Sequence, residues 1–202
     1  MYSYPRKSAP KVRNGRVQRK NRWQETPNCY NTEQPEPVID RQRPGYGYRH
    51  LVRKEDLRRF IRLIPNWREL SHGLNVIILT GGDRYCFGWH RPGRVAICAW
   101  DRCLSRWYCD TGHAWFRKEF GIVAKLGIPS RRCEEGWEIA FTEDTARAFQ
   151  LIHIFIHELG HHHDRMTTRS KVKACRGEGY AEAYERRFED LLLARYRNEF
   201  PL

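Results

Sequence analysis

Between Glu143 and Met166 the chain contains no Pro and a single Gly, Gly160, and its centre (AFQLIHIFIHEL, residues 148–159) is apolar on almost every side. A helix that is apolar all round is a buried one, so the rest of the chain has to be built around this segment. Its start is marked as well. Thr142 is an N-cap residue type, and Glu143 and Asp144 place negative charge at the positive end of the helix macrodipole.

The flanking sequence predicts a sheet on one side of this helix and another helix on the other. Leu74 to Thr80 (LNVIILT) is a nearly continuous apolar run closed by Gly81-Gly82-Asp83, a composition that suits a buried strand ending in a turn. Tyr85 to Trp89 and Arg94 to Trp100 read as two further strands joined through Pro92-Gly93, and the second is a candidate sheet edge along which an extended peptide could add. Trp137 to Phe141 alternates apolar and polar residues and leads into Thr142 as one more strand. Leu51, Leu57, Phe60, Ile61 and Ile64 recur at helical spacing before Pro65, predicting about three turns of helix. Tyr180 to Tyr196 predicts an amphipathic helix carrying Tyr184, Phe188, Leu191 and Arg195 on one face.

The buried helix carries His157-Glu158-Leu159-Gly160-His161, the HExxH pattern. Residues four apart lie on one helix face about one turn from each other, so both imidazoles can reach one tetrahedral metal ion. Glu158 sits about 100° further round. It is poorly placed to join the same ion but well placed to take a proton from water beside it, the position of a general base. Desolvating two histidines in an apolar helix is costly, and metal ligation offsets that cost. His153, one turn earlier, reads as a hydrogen-bonded core histidine. His162 and His163 read as exposed polar positions. Asp164, three residues beyond His161, is a candidate acceptor for the second ring N–H of that histidine, or an alternative ligand.

Downstream the chain continues Arg176-Gly177-Glu178-Gly179-Tyr180-Ala181-Glu182. HExxH followed by GEGYAE resembles the gluzincin metallopeptidases, in which a later helix carries a glutamate in a motif such as NExxSD or NEGFAE. The resemblance spans roughly residues 95 to 193 and is specific in these two motifs. Size and the HELGHH stretch are also similar to small intracellular zincins of bacteria and mobile elements. The resemblance implies zinc as cofactor, held by His157, His161 and Glu178, with Glu158 as catalytic base and Glu182 as the acid that orients an imidazole. The interval from His161 to Glu178 is short for the group, and Gly177 stands where Asn is usual, so Glu182 remains an alternative ligand. Tyr180 and Tyr184 are the nearest candidate oxyanion donors. The fold implied is α+β of the zincin type: a small mixed or antiparallel sheet on the buried HExxH helix, with a C-terminal helix bearing the third ligand. The activity implied is hydrolysis of peptide bonds in a protein or peptide substrate.

Charge supplies a rival. The 202 residues carry a net charge of +13, and residues 1 to 22 hold Arg6, Lys7, Lys11, Arg13, Arg16, Arg19, Lys20 and Arg22 without one acid. Such a stretch is drawn to phosphate polymers through counterion release. Nucleic acid is therefore a candidate partner, and a zinc-stabilised nucleic-acid-binding or regulatory protein without hydrolytic activity is the alternative function. Low apolar periodicity and Pro-rich composition predict a disordered basic tail over residues 1 to 49 and a metallopeptidase domain over 50 to 202. Seven cysteines with no CxxC pair, and no signal-like apolar run, predict reduced thiols and a cytoplasmic location. The spacing of Cys98, Cys103 and Cys109 is irregular for a second zinc site. No run of about 18 apolar residues is present to cross a membrane.

Overall fold

A computed structural model of the protein describes residues 12–13, 16–17, 27–109, 113–134, 136–168 and 176–202. Most of the acid-free basic stretch, the side chain of Cys109, and Cys175 lie outside the described residues. The short pieces β1 (Val12–Arg13) and β2 (Arg16–Val17) pair antiparallel. The chain then runs through β3 (Val38–Arg41), β4 (Tyr48–Arg49), α1 (Lys54–Ile61), α2 (Trp67–Leu70), β5 (Val76–Thr80), β6 (Gly88–Arg91), β7 (Arg94–Cys98) and β8 (Trp100–Asp101). It continues with β9 (Ser105–Cys109), α3 (His113–Lys125), β10 (Ser130–Cys133), β11 (Gly136–Ala140), α4 (Glu143–Ala148), a π-helical segment (Phe149–Phe155), α5 (Ile156–Thr167) and α6 (Glu178–Glu199). The fold class is mixed α+β.

The main sheet is mixed, in the order β3-β5-β7-β6: β3, β5 and β7 run parallel, and β6 lies antiparallel at one edge. Both interior strands are buried on both faces, as expected for central strands with near-continuous apolar sequence. Ile77, Leu79, Val95 and Ile97 join the main core with the long helix, while Val76, Ile78 and Ala96 form a second cluster covered by Tyr30 and Trp89. A separate antiparallel sheet, β10-β11-β9, precedes the helix.

Four sequence expectations change here, the first being that the strand read over Tyr85 to Trp89 lies at Gly88–Arg91. Arg94 to Trp100 is not the sheet edge, because β7 is bonded on both sides and β6 takes the outer position. The helix before Pro65 is shorter than three turns, and its buried face is Leu57 and Phe60. The ordered fold also begins before residue 50. β3 pairs with β5 from Val38↔Val76 to Arg41↔Leu79, and β4 pairs with β8, so part of the stretch assigned to the tail belongs to the sheets. An edge strand of four residues is too short for its alternation to stand out in a Pro-rich context.

The long helix begins where Thr142 predicts, its Oγ1 accepting the Thr145 N–H at 3.0 Å. Its middle, residues 149 to 155, is π-helical and wholly buried. π-helical turns are uncommon and cluster at functional sites. α5 then packs along α6 and against β6 and β7, which brings the HExxH residues beneath the edge of the sheet. Among the described residues no helix is long and apolar enough to cross a membrane.

Candidate metal centre

α5 and α6 cross closely enough for side chains of both to meet. Gly160 makes this possible: a Cβ there would lie 3.0 Å from Ala181 Cα and 3.2 Å from Ala181 O. At the crossing, His157 Nε2 is 3.2 Å from His161 Nε2 and 3.2 Å from Glu178 Oε2, and His161 Nε2 is 3.4 Å from Glu178 Oε1. Ligand-type atoms of His157, His161 and Glu178 all lie within 4.8 Å of one another. Two imidazole nitrogens and one carboxylate oxygen are a donor set that zinc takes in open, three-ligand sites. The residues present therefore fit the metal that the sequence implies.

A carboxylate of α6 faces the ring of His157. His157 Nδ1 faces Glu185 Oε2 at 3.3 Å. A proton on Nδ1 leaves the Nε2 lone pair directed at the cluster. Burial lowers the pKa of His157, but the hydrogen bond to Glu185 and neighbouring carboxylates more than reverse this, and the net shift is upward. For His161, burial and the nearby His157 lower the pKa, favouring the neutral ring.

Glu158 stays out of the cluster and lines the same cleft, a space of about 960 Å³ whose walls include His90, Glu119, His153, Glu178 and Glu185. Its residue is 8% exposed, and burial pushes the carboxyl up to about 7. Gly88 on β6 keeps the strand close to it. A Cβ at that position would sit 3.0 Å from Glu158 Cγ and 2.6 Å from Ile154 Cγ2. His90, two residues on and so on the same face of β6, stacks near-parallel to His161 with ring centroids 6.3 Å apart. Burial and the neighbouring His162 and His161 bring its pKa down to about 4.

Several residues do something other than the sequence suggested. Asp164 accepts from Arg176 Nε at 2.7 Å, Thr168 Oγ1 at 3.0 Å and the Gly177 N–H at 3.1 Å, so its carboxylate is engaged at the end of α5 and just before α6 and not by His161. Glu182 lines the cleft, where it pairs with Arg186 at 3.0 Å, outside the converging donors. The acid that orients an imidazole is Glu185, which the sequence reading missed. The available signal was its spacing of seven residues from Glu178, which returns to the same helix face. His162 is fully buried, its Nε2 2.9 Å from the His72 carbonyl, and not exposed as expected. The Tyr180 hydroxyl is engaged by His163 Nδ1 at 2.6 Å, and neither Tyr180 nor Tyr184 lines the cleft.

Compared with known proteins, the chain matches no protein-family model, no curated protein and no solved structure.

Proposed function

We propose that the protein is a zinc-dependent peptidase of zincin-like architecture. The observation that carries this reading is the convergence of His157, His161 and Glu178 on one point, with the buried carboxyl of Glu158 in the same cleft but outside the donor set. A structural metal site has no use for such an acid.

His157, His161 and Glu178 would hold the metal, and zinc bound there would supply Lewis acidity towards a carbonyl and water. Glu158, buried in the same cleft beside the donors, takes the proton of the attacking water and returns it to the leaving amine. Glu185 keeps the His157 ring in its ligating tautomer. The outer edge of β6 runs beside the cleft and offers backbone groups to an extended peptide.

The alternative, a zinc-stabilised nucleic-acid-binding protein without hydrolysis, is favoured by one observation, the acid-free basic stretch of residues 1 to 22. Glu158→Gln separates the two readings. It preserves size and hydrogen bonding but removes the base, so zinc content by elemental analysis and melting temperature should match the parent. Cleavage of a substrate found by screening peptide libraries should fall about a hundredfold or more. Equal cleavage by both forms refutes the assigned base. Zinc and nucleic-acid binding without cleavage by either form favours the alternative.

A further inference from the structure

The His157–Glu185 contact is the last link of a longer buried chain. The His153 ring stands between two carboxylates, with Nε2 against Glu119 Oε2 of α3 and Nδ1 against Glu185 Oε1 of α6. The other oxygen of Glu185 faces His157 Nδ1 at 3.3 Å. His153 and Glu185 are 7% and 4% exposed, and the Phe149 ring covers the imidazole at a centroid distance of 4.8 Å. Four elements thus meet in one line of side chains: Glu119 of α3, His153 of the π-helical segment, Glu185 of α6 and His157 of α5. The π-helical segment supplies His153 to it.

We propose that His153 and Glu119 are positioning residues for the metal centre, acting through Glu185 to set how firmly His157 is held. This rests on the metal-site reading above. The physical reason is charge compensation. A carboxylate as buried as Glu185 needs partners, and His157 as a metal ligand offers it only the N–H of a neutral ring. A cationic His153 neutralises Glu185, and Glu119 in turn stabilises the cation. Burial alone would lower the pKa of His153, but its two carboxylates hold it up at about 9. Without Glu119, the cation on His153 loses one of its two carboxylate partners. Glu185 is then less fully compensated in its buried position, as it is when His153 itself is lost, and its hold on His157 loosens.

The test is zinc affinity of the full-length protein, measured by competition with a chromophoric chelator for the parent, Glu119→Gln, His153→Gln, Glu185→Gln and the Glu119→Gln/Glu185→Gln double variant. Loss of a group that orients a ligand typically weakens metal binding about tenfold or more. Both Glu119→Gln and His153→Gln should show such a loss although neither residue is a ligand. Glu119→Gln should cost little once Glu185 is already Gln, because its effect travels through that residue. A merely structural role gives additive losses, and that result overturns the proposal. So does parent-like affinity in the two single variants. Zinc bound by the parent but unmoved by the variants removes this inference alone, whereas a parent that binds no zinc removes the metal-site reading itself.

Discussion

The Asp164 carboxylate accepts the backbone N–H of Gly177 at 3.1 Å, tying the last turns of α5 to the residue that precedes Glu178. Arg176 and Thr168 complete the clasp on the other oxygen. Asp164 is 1% exposed, so this is a buried acid whose acceptor capacity is used locally. Asp164→Asn should cost about 1 to 3 kcal/mol in stability and weaken zinc binding, because the start of α6 is no longer pinned. Its pH dependence identifies the cause. Burial would raise this pKa, but Arg176, Thr168 and the Gly177 N–H outweigh it and hold it below its ordinary value. A depressed carboxylate contributes stability that is complete above its unfolded pKa of about 3.9 and is lost as pH falls through the folded value. The difference in denaturation midpoint between parent and variant should be steady from about pH 7 to about pH 5 and shrink below about pH 4. A difference that grows in acid contradicts the clasp.

Gly160 predicts a second effect. Replacing an exposed helical Gly by Ala gains about 1 kcal/mol, but here the new Cβ meets the backbone of Ala181, which cannot rotate away. Gly160→Val should therefore destabilise by about 1 to 3 kcal/mol. It should also lower zinc affinity, by forcing α6 and Glu178 away from α5. Calorimetry and metal competition would show both losses together, and parent-like values for both would mean the crossing tolerates wider spacing.

The two acids of the GEGYAE stretch are separable by the same competition assay. Glu178→Ala removes one of the three converging donors and should reduce zinc affinity by orders of magnitude. Glu182→Ala removes a partner of Arg186 at the cleft wall, and such ion pairs contribute about 0 to 1 kcal/mol. Reversed effects would transfer the third ligand to Glu182.

Truncation tests the boundary. A chain starting at residue 27 should keep its melting temperature and zinc content while losing salt-sensitive binding to DNA or RNA. One starting at residue 49 should be much less stable, because it lacks β3 and exposes the edge of β5. Equal stability of the two would show that β3 is dispensable.

The sequence by itself determined the buried helix, the strands β5, β7 and β11 near it and the pair of imidazoles on one helix face, while β6 lies further along the chain than its reading. Each rests on periodicity or local chemistry: an apolar run, Thr142 as a cap, and His157 and His161 one turn apart. Glu178 was reached through the resemblance of GEGYAE to a motif, and the structure places it against both histidines. Tertiary structure alone decided what lies across from these residues. Which acid orients His157 depends on how α6 rotates over α5, a matter of packing at Gly160 and Ala181, so Glu185 was invisible beside Glu182. The partners of Asp164 escape the sequence for the same reason, since they include Arg176 and Gly177, which precede α6. Glu119 reaches His153 from a different helix, and His90 reaches the cleft from the far strand of a hairpin. Spacing along one helix is written in the sequence because helical geometry is local, whereas contacts between elements are set by the packing of the whole core.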